Sequence, residues 1–490
     1  MMNQASYLHE QDQAIMNDKR LRLDINFTDN FKNSESVYNI FHGNLPDKIQ
    51  GVCIDSRVIE PGDLFFAIKG DSGVDGHDFV QDALNKGACA AVVAKKNQNI
   101  DSKLQLLVDD TLISLQKFAS AWRKAWGKMV IAITGSNGKT STKYLCFQVL
   151  KTKFKITPPR NSWNNALGVP LSLLSIQEQD DVHVLELGMN HPGEIYPLCS
   201  IAQPDIVGIT NIGRAHIGFF ESIEGIAQEK KEVLRWLNEN KSQSGTAIIN
   251  LDDSRLSSVL HSKEYQFKCK SFSIDQTLAD VHTVKQGERQ VIQYGKNGQL
   301  DNTINLLGQH NLSNVLFALC VGDALNLDIN TIKKVLPDLY LPALRQETIA
   351  LADNIVLLAD CYNANLDSTL IAIKTLSSMP QKNKLLVIGD MAENGDFSKE
   401  NHLLLAKAIE KENNIDTVVC FGSETKVIVD FLQNNSSKQC FHFSEKDLLL
   451  KKIKQEIKAN MAVLFKGSRS NALETVVEAL QKSPEYRRVG

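Results

Sequence analysis

The strongest constraint on this chain is residues 129–141, where a short apolar run passes directly into two glycines, a lysine and a series of hydroxyls. Residues 129–133 are apolar and rich in β-branched side chains, the pattern of a buried parallel strand. Thr134, Gly135, Ser136, Asn137, Gly138, Lys139 and Thr140 follow, and from Ser141 to residue 150 the pattern suits a helix. A strand, a glycine-containing turn and a helix together aim backbone N–H groups at a phosphate. In that arrangement Lys139 reaches the outer phosphates and the Thr140 hydroxyl binds Mg²⁺. The general phosphate-loop pattern needs a glycine at 133, where this chain has Ile133, so the loop is shorter on its N-terminal side. An ordinary strand-to-helix turn with an exposed lysine is the other account of these residues.

The chain has 490 residues, enough for about three domains. Its 43% hydrophobic content supports sizeable cores, and a net charge of −3 argues against a general nucleic-acid or membrane-surface binder. The 9 cysteines are dispersed and form no C-x-x-C pair, which reads as reduced cytosolic thiols. No run approaches the roughly 18 apolar residues of a membrane span, and the polar N-terminus lacks the apolar core of a secretion signal. A soluble, cytoplasmic protein without nucleic-acid partners is expected, and a monomer.

Residues 1–33 are polar with little periodicity and are expected to form a mobile extension. Residues 34–125 read as a small α/β domain, with strands at 51–54, 64–68 and 88–94. Ser56, Arg57 and Lys69 fall at strand ends, where α/β sheets bind anionic ligands; a capping serine and two surface cations are the plainer account.

Residues 126–342 form the nucleotide domain. A strand at 181–188 carries Glu186 near its end, where a carboxylate can complete an Mg²⁺ shell begun by Thr140. A strand at 205–210 leads to His216, a lone histidine that is either structural or part of a site. In the helix at 223–237, Ile226, Val233 and Leu237 define an apolar stripe, and Lys230 lies inside it. A lysine facing a core tends to lose its proton, and the neutral amine can react with CO₂ to give an anionic, metal-binding carbamate. The alternative is a lysine snorkelling to a domain edge. A helix from 308 to about 325 opens with Asn311 and Asn314, and Asn314 either offers its amide to a base or ribose or is a plain helix-start residue.

Arg345 follows Pro342 at the expected linker. Residues 343–490 form a third α/β unit with strands at 355–359, 384–388, 417–421 and 462–465, an alternation that implies βαβ units and a parallel sheet. Asp360, Asp390 and Lys466 stand at its strand ends, as a ligand site facing the nucleotide domain would require.

Together these segments resemble the Mur ligases, the ATP-dependent amide ligases of peptidoglycan precursor synthesis. The resemblance implies a three-domain α/β architecture: a UDP-sugar domain, a central P-loop-type parallel-sheet ATPase domain and a C-terminal Rossmann-like domain. The family's phosphate loop lacks the outer glycine, which accounts for Ile133. Glu186, His216 and Lys230 fall where the family places magnesium ligands, Lys230 matching its carbamylated lysine. Asn311 and Asn314 match its adenine site, and Arg345 and Asp360 its nucleotide-contacting pair. Asp55-Ser56-Arg57 and Asp75-Gly76-His77 are similar to the N-terminal domain of the two late-acting members. Asp360-Cys361-Tyr362-Asn363-Ala364-Asn365 looks like the motif of the last member, which adds D-alanyl-D-alanine. Leu366 replaces the usual proline, and Gln346 stands where leucine is common. In Asn161-Ser162-Trp163-Asn164-Asn165 the spacing is one residue long, so Asn164 and Asn165 carry over and Asn161 does not.

The resemblance thus implies a ligase for UDP-N-acetylmuramoyl-tripeptide, D-alanyl-D-alanine and ATP, acting through an acyl phosphate with two Mg²⁺ ions and a carbamate on Lys230. Lys139, His216 and Lys230 would be catalytic. Tyr362, Asn363, Asn365, Asp390 and Lys466 would join Ser56, Arg57, Lys69, Asn164 and Asn165 in binding substrates. The preceding ligase, which adds the third residue, and a non-catalytic nucleotide-binding relative are the rival readings.

Overall fold

Runs of buried β-branched and leucine side chains build three separate β-sheets, each taken up in chain order. The computed structural model describes residues 22–25, 27, 29–41, 45–70, 73–160, 162–287, 289–296 and 298–486. The first sheet holds β1 (Arg22–Asp24), β2 (Gly51–Cys53), β3 (Asp63–Phe66), β4 (Ala90–Val93) and β5 (Gln105–Leu107) in sequential order. Its pairings are parallel except that of β1 with β2. Two helices, α1 (Glu35–Phe41) and α2 (Thr111–Trp126), lie against it.

Part of the expected N-terminal extension is structured. Leu23, Ile25 and Phe27 alternate with polar residues and are buried, as is Phe31. Phe27 and Phe31 pack on Trp122 of α2, each with ring centres 5.2 Å away. The period-two alternation that marks a strand was short enough to be lost in a polar composition. The rest of that extension, residues 1–21, 26 and 28, lies outside the described residues, as does Asn161.

The central sheet has the order β13-β12-β11-β10-β9-β8-β6-β7. Its strands are β6 (Met129–Thr134), β7 (Val182–Glu186), β8 (Ile206–Ile209), β9 (Thr246–Asn250), β10 (Lys268–Ser273), β11 (Val281–Gln286), β12 (Arg289–Tyr294) and β13 (Gly298–Asp301). The strands from β7 to β11 pair in parallel, while β11, β12 and β13 form an antiparallel ribbon at the far edge. That ribbon is polar along its exposed side, which hid it from a search for apolar runs. Around the sheet stand α3 (Lys139–Leu150), α4 (Gly168–Leu174), α5 (Ile195–Ala202), α6 (Ile223–Lys241) and α7 (Gln309–Ala324). Helices α3 and α7 share one buried layer. Helix α2 packs against α1 on one side and against α4 and α5 on the other, so the first and central units share one continuous hydrophobic core.

The third sheet has the order β14-β15-β19-β16-β17-β18. It comprises β14 (Glu347–Ala350), β15 (Val356–Asp360), β16 (Asn383–Gly389), β17 (Thr417–Phe421), β18 (Gln439–Phe443) and β19 (Met461–Lys466), with helix α8 (Leu366–Ser378) after β15. All pairs are parallel except β14 with β15. The two outer strands, β14 and β18, are half-exposed edges and escaped the sequence reading for that reason. This sheet has hydrophobic clusters of its own.

Because buried Phe31 packs on Phe118 and Trp122 of α2, Phe31→Ala is expected to cost about 3–5 kcal/mol. Denaturant unfolding would show it as a lowered midpoint of the transition that reports Trp122. An unchanged midpoint would mean that this segment does not hold the core together.

Candidate active site

After β6 the chain crosses to β7 on one side and later to β8 on the other, so β6 ends at the point where strand order reverses. Ligand crevices in open α/β sheets form at such switch points. The register sets Ile133 opposite Glu186 and Thr134 opposite Ile209. Beyond Thr134 the chain turns back into α3, and two glycines make the turn possible. Gly135 has φ 146°, and a Cβ there would overlap the Thr210 hydroxyl. Gly138 has φ 80°, and a Cβ there would come 2.5 Å from Asn314 Oδ1. Both positions therefore admit only glycine. The loop is braced by the segment after β8. Ser136 N donates to Asn211 O at 2.9 Å, Asn137 N donates to Asn211 Oδ1 at 3.0 Å, and Ser136 Oγ donates to Gly213 O at 3.0 Å.

The start of α3 collects charge. Thr140 Oγ1 donates to Glu186 Oε2 at 2.9 Å, and Lys143 Nζ, one turn further on, stands 3.5 Å from Glu186 Oε1. Glu186 and Lys143 are both buried. Arg345 reaches in from beyond the linker, its Nη2 donating to Thr140 Oγ1 at 2.9 Å. Lys139 folds back so that Nζ donates to Gly135 O at 2.8 Å, and burial pulls its pKa down. Lys230, on α6, is fully buried and its Nζ has no hydrogen-bond partner. Burial first, and the nearby Lys139 cation second, hold Lys230 well below the usual lysine range. The neighbouring Glu229 spends its carboxylate on the backbone N–H groups of Gly193 and Ile195, both at 2.8 Å. His216 Nδ1 lies 2.9 Å from Glu393 Oε2, and that contact holds Glu393 below the usual carboxylate range.

The third unit is clasped over this loop by polar contacts. Asn365 Nδ2 donates to Asn137 Oδ1 at 2.8 Å. Arg214 donates its backbone N–H to Asp367 Oδ2 at 2.7 Å and its guanidinium to Asp367 Oδ1 at 3.2 Å. Gly218 N donates to Glu393 O at 3.1 Å. Between the two units lies a cavity of about 600 Å³. Its walls include residues 136–141 of the loop on one side and Asp360, Tyr362, Asn363, Asn365 and Lys466 on the other. Asp360 and Lys466 are register partners on adjacent strands and form an ion pair at 3.1 Å. Tyr362 carries the Arg345 guanidinium 4.1 Å from its ring centre.

Most of the residues singled out in the sequence meet at this cavity, but several do not, and Glu186 and Lys230, both fully buried, are absent from its walls. Thr134 and Gly135 lie beneath the loop and build it without lining the cavity. Asn311 and Asn314 line the cavity, yet their amides are engaged within the protein: Asn311 Nδ2 donates to Leu307 O at 2.8 Å, and Asn314 Oδ1 accepts from Thr142 Oγ1 at 3.1 Å. Asn164 lines it; Asn165 is instead exposed, its Oδ1 accepting from Gly168 N at 2.8 Å. Asp390 is turned away, its Oδ1 accepting the backbone N–H groups of Glu424 and Thr425 at 3.0 Å each, because the strand end it sits on points under the next loop. Ser56, Arg57 and Lys69 stand on the first sheet, outside this cavity. Arg57 is 84% exposed and paired with Asp55 at 2.7 Å, while the carbonyl of buried Ser56 accepts from Lys86 Nζ at 2.9 Å. Among the described residues, no three His, Cys, Asp or Glu side chains gather closely enough to hold a metal on their own. Sequence reasoning missed Lys143, Ser162 and Asp367. The i, i+4 spacing of Lys143 from Lys139 was the available signal for the first; Asp367 became visible only when the two units were brought together.

Comparison with known proteins agrees with this geometry. The description "Mur ligase family, catalytic domain" matches residues 48–121, "Mur ligase middle domain" residues 133–322, and "Mur ligase, glutamate ligase domain" residues 344–469. The UDP-N-acetylmuramoyl-tripeptide–D-alanyl-D-alanine ligase of Bacillus subtilis is 33% identical over 445 residues, covering 89% of this chain and 94% of that relative. The enzyme of the same name from Escherichia coli is 34% identical, covering 89% and 94%. The crystal structure of MurF from Acinetobacter baumannii superposes with a TM-score of 0.79 at 28% identity, over 92% of this chain and 98% of that one. MurF from Thermotoga maritima in complex with ADP gives a TM-score of 0.74 at 26% identity, over 89% and 98%. Matched in each of its three units, this chain belongs to the Mur ligase family.

Proposed function

We propose that the chain is an ATP-dependent, ADP-forming ligase that joins D-alanyl-D-alanine to UDP-N-acetylmuramoyl-tripeptide, giving the pentapeptide precursor of peptidoglycan. The observation that carries this reading is the cavity in which the phosphate loop faces Tyr362, Asn363 and Asn365, with Asn137 and Asn365 bonded across it. The full-length relatives that carry this activity in their names support the choice of substrates.

A carboxylate is a poor acyl donor. In the reaction, a carboxylate oxygen of the tripeptide attacks the γ-phosphorus of ATP and ADP leaves, giving an acyl phosphate. The dipeptide amine then attacks the acyl carbon, loses a proton and expels phosphate. The N-terminus of α3 and the loop N–H groups hold the phosphates. Lys139 and Arg345, both at the loop, stabilise the charge that builds on the transferred group. The contacts of Asn365 with Asn137 and of Asp367 with Arg214 keep the third unit closed and exclude water, which would otherwise hydrolyse the acyl phosphate. The first sheet, with Ser56, Arg57 and Lys69 at its strand ends, takes the UDP-sugar.

The oxygen donors present suit Mg²⁺: Thr140 with Glu186 would hold one ion, and Glu186, His216 and a carbamate on Lys230 a second. Bound there, the two ions would neutralise the crowded negative charge of γ-phosphate and carboxylate. The buried, unpartnered Lys230 amine, held well below the usual lysine range by burial, is suited to take up CO₂ and lose a proton, which converts an orphaned donor into an anion beside Lys139. The absence of disulfides among 9 cysteines suits a cytoplasmic enzyme.

The direct test is phosphate release with ATP, Mg²⁺ and the tripeptide substrate, with and without D-alanyl-D-alanine, followed by mass analysis. Dipeptide-dependent release with a pentapeptide product is expected. Release only with the dipeptide-stem precursor and a diamino acid would move the chain one step earlier. Lys139→Ala should lower turnover by roughly 10²–10³-fold or more. Lys230→Ala should lose activity by orders of magnitude without rescue by bicarbonate, and near-normal turnover would remove the carbamate from the scheme. Asp367→Ala should loosen closure, so that phosphate release exceeds pentapeptide formation; a one-to-one ratio would deny the clasp its role in excluding water.

A further inference from the structure

We infer that Arg469 receives the free carboxylate of the incoming dipeptide and so determines that the acceptor is an acid. This rests on the ligase reading above. The terminal carboxyl of D-alanyl-D-alanine is ionised at neutral pH, and enclosing it in a closing cleft without a counter-charge is costly. Five Lys and Arg side chains line the cavity: Lys139, Arg214, Arg345, Lys466 and Arg469. The first four are engaged by the walls. Lys139 bonds Gly135 O, Arg214 bonds Asp367, Arg345 bonds Thr140, and Lys466 is paired with Asp360 and donates to Asn363 O at 2.7 Å.

Arg469 differs. Its partner is Glu474, which does not line the cavity, and only Nη1 is used, at 2.9 Å. Backed in this way, the guanidinium is oriented while its remaining donors, with 51% of the side chain exposed, are open to a ligand. A planar guanidinium fork fits a carboxylate with two parallel hydrogen bonds. The turn that carries Arg469 is firmly held: Ser468 N donates to Asp390 O at 3.0 Å, and Ala392 N donates to Ser468 Oγ at 2.7 Å.

The spacing also fits. Arg345, which touches the phosphate loop, lies 4.1 Å from the Tyr362 ring centre, and Arg469 lies 5.9 Å from the same centre. An extended dipeptide spans roughly 7 Å. The two guanidinium groups therefore lie no more than about 10 Å apart (4.1 plus 5.9), a distance that an extended dipeptide with its two charged ends can bridge.

The test compares D-alanyl-D-alanine with its C-terminal amide, D-alanyl-D-alaninamide, as acceptors for the full-length enzyme. The wild type is expected to prefer the acid by roughly 10–100-fold in kcat/KM. In Arg469→Gln, and in Arg469→Ala as a second variant, the preference should fall below about threefold, through a raised KM for the acid, with KM for ATP unchanged. An active wild type without the preference, or variants that keep it, would overturn the assignment alone. So would variants that lose acid and amide equally, which would mark Arg469 as structural. A wild type inactive with the dipeptide would overturn the ligase reading, and this assignment with it.

Discussion

A buried carboxylate organises the site. Glu186 sits at the end of a central strand with no exposure, and a charge in that position requires compensation from its surroundings. The Thr140 hydroxyl and the Lys143 ammonium provide it from successive turns of one helix, and Arg345 reaches the same hydroxyl from the far side of the linker. These contacts tie together β7, α3 and the start of the third unit. The loop that would cradle phosphate is held in the same place because its glycines let it pass beneath Thr210 and beside Asn314.

The three units are joined in two different ways. The first and central units share an apolar core through α2, so their relative position is set by packing. The third unit has its own cores and meets the central one mainly through hydrogen bonds and ion pairs around the cavity, with Phe397 its apolar contact to the shared core. Polar contacts exchange with water at small net cost, whereas an apolar seam does not. A rigid pair with a releasable third unit suits an enzyme that must admit three substrates and then exclude water.

Legibility in the sequence followed burial. The strands read as apolar runs, such as 417–421, are the buried strands of the parallel sheets. The β11–β13 ribbon and the edges β14 and β18 alternate or are half-exposed, and they carry too little apolar signal to stand out. The segment from Leu23 to Phe31 reads as a polar extension because its four core side chains are diluted by polar neighbours. In the site, local motifs located Lys139, Thr140, Glu186, Tyr362 and Lys466, whose positions follow from the strand or turn that carries them. Asp390 and Asn165 lie in equally suggestive motifs, but their side chains accept backbone N–H groups, Asp390 from Glu424 and Thr425 and Asn165 from Gly168.

What the sequence by itself determined is the phosphate loop, the parallel-sheet class and the chemical inventory of the strand ends, because these depend on local conformation and on period. What only the tertiary structure decided is which of those ends face one another. The pairing of Asp367 with Arg214, of Asn365 with Asn137 and of Glu393 with His216 joins residues far apart in the chain. No local propensity encodes such pairs. They are set by the packing of whole units, and through them the structure distinguishes side chains held by the cavity walls from those, like Arg469, that are half-exposed and paired outside it.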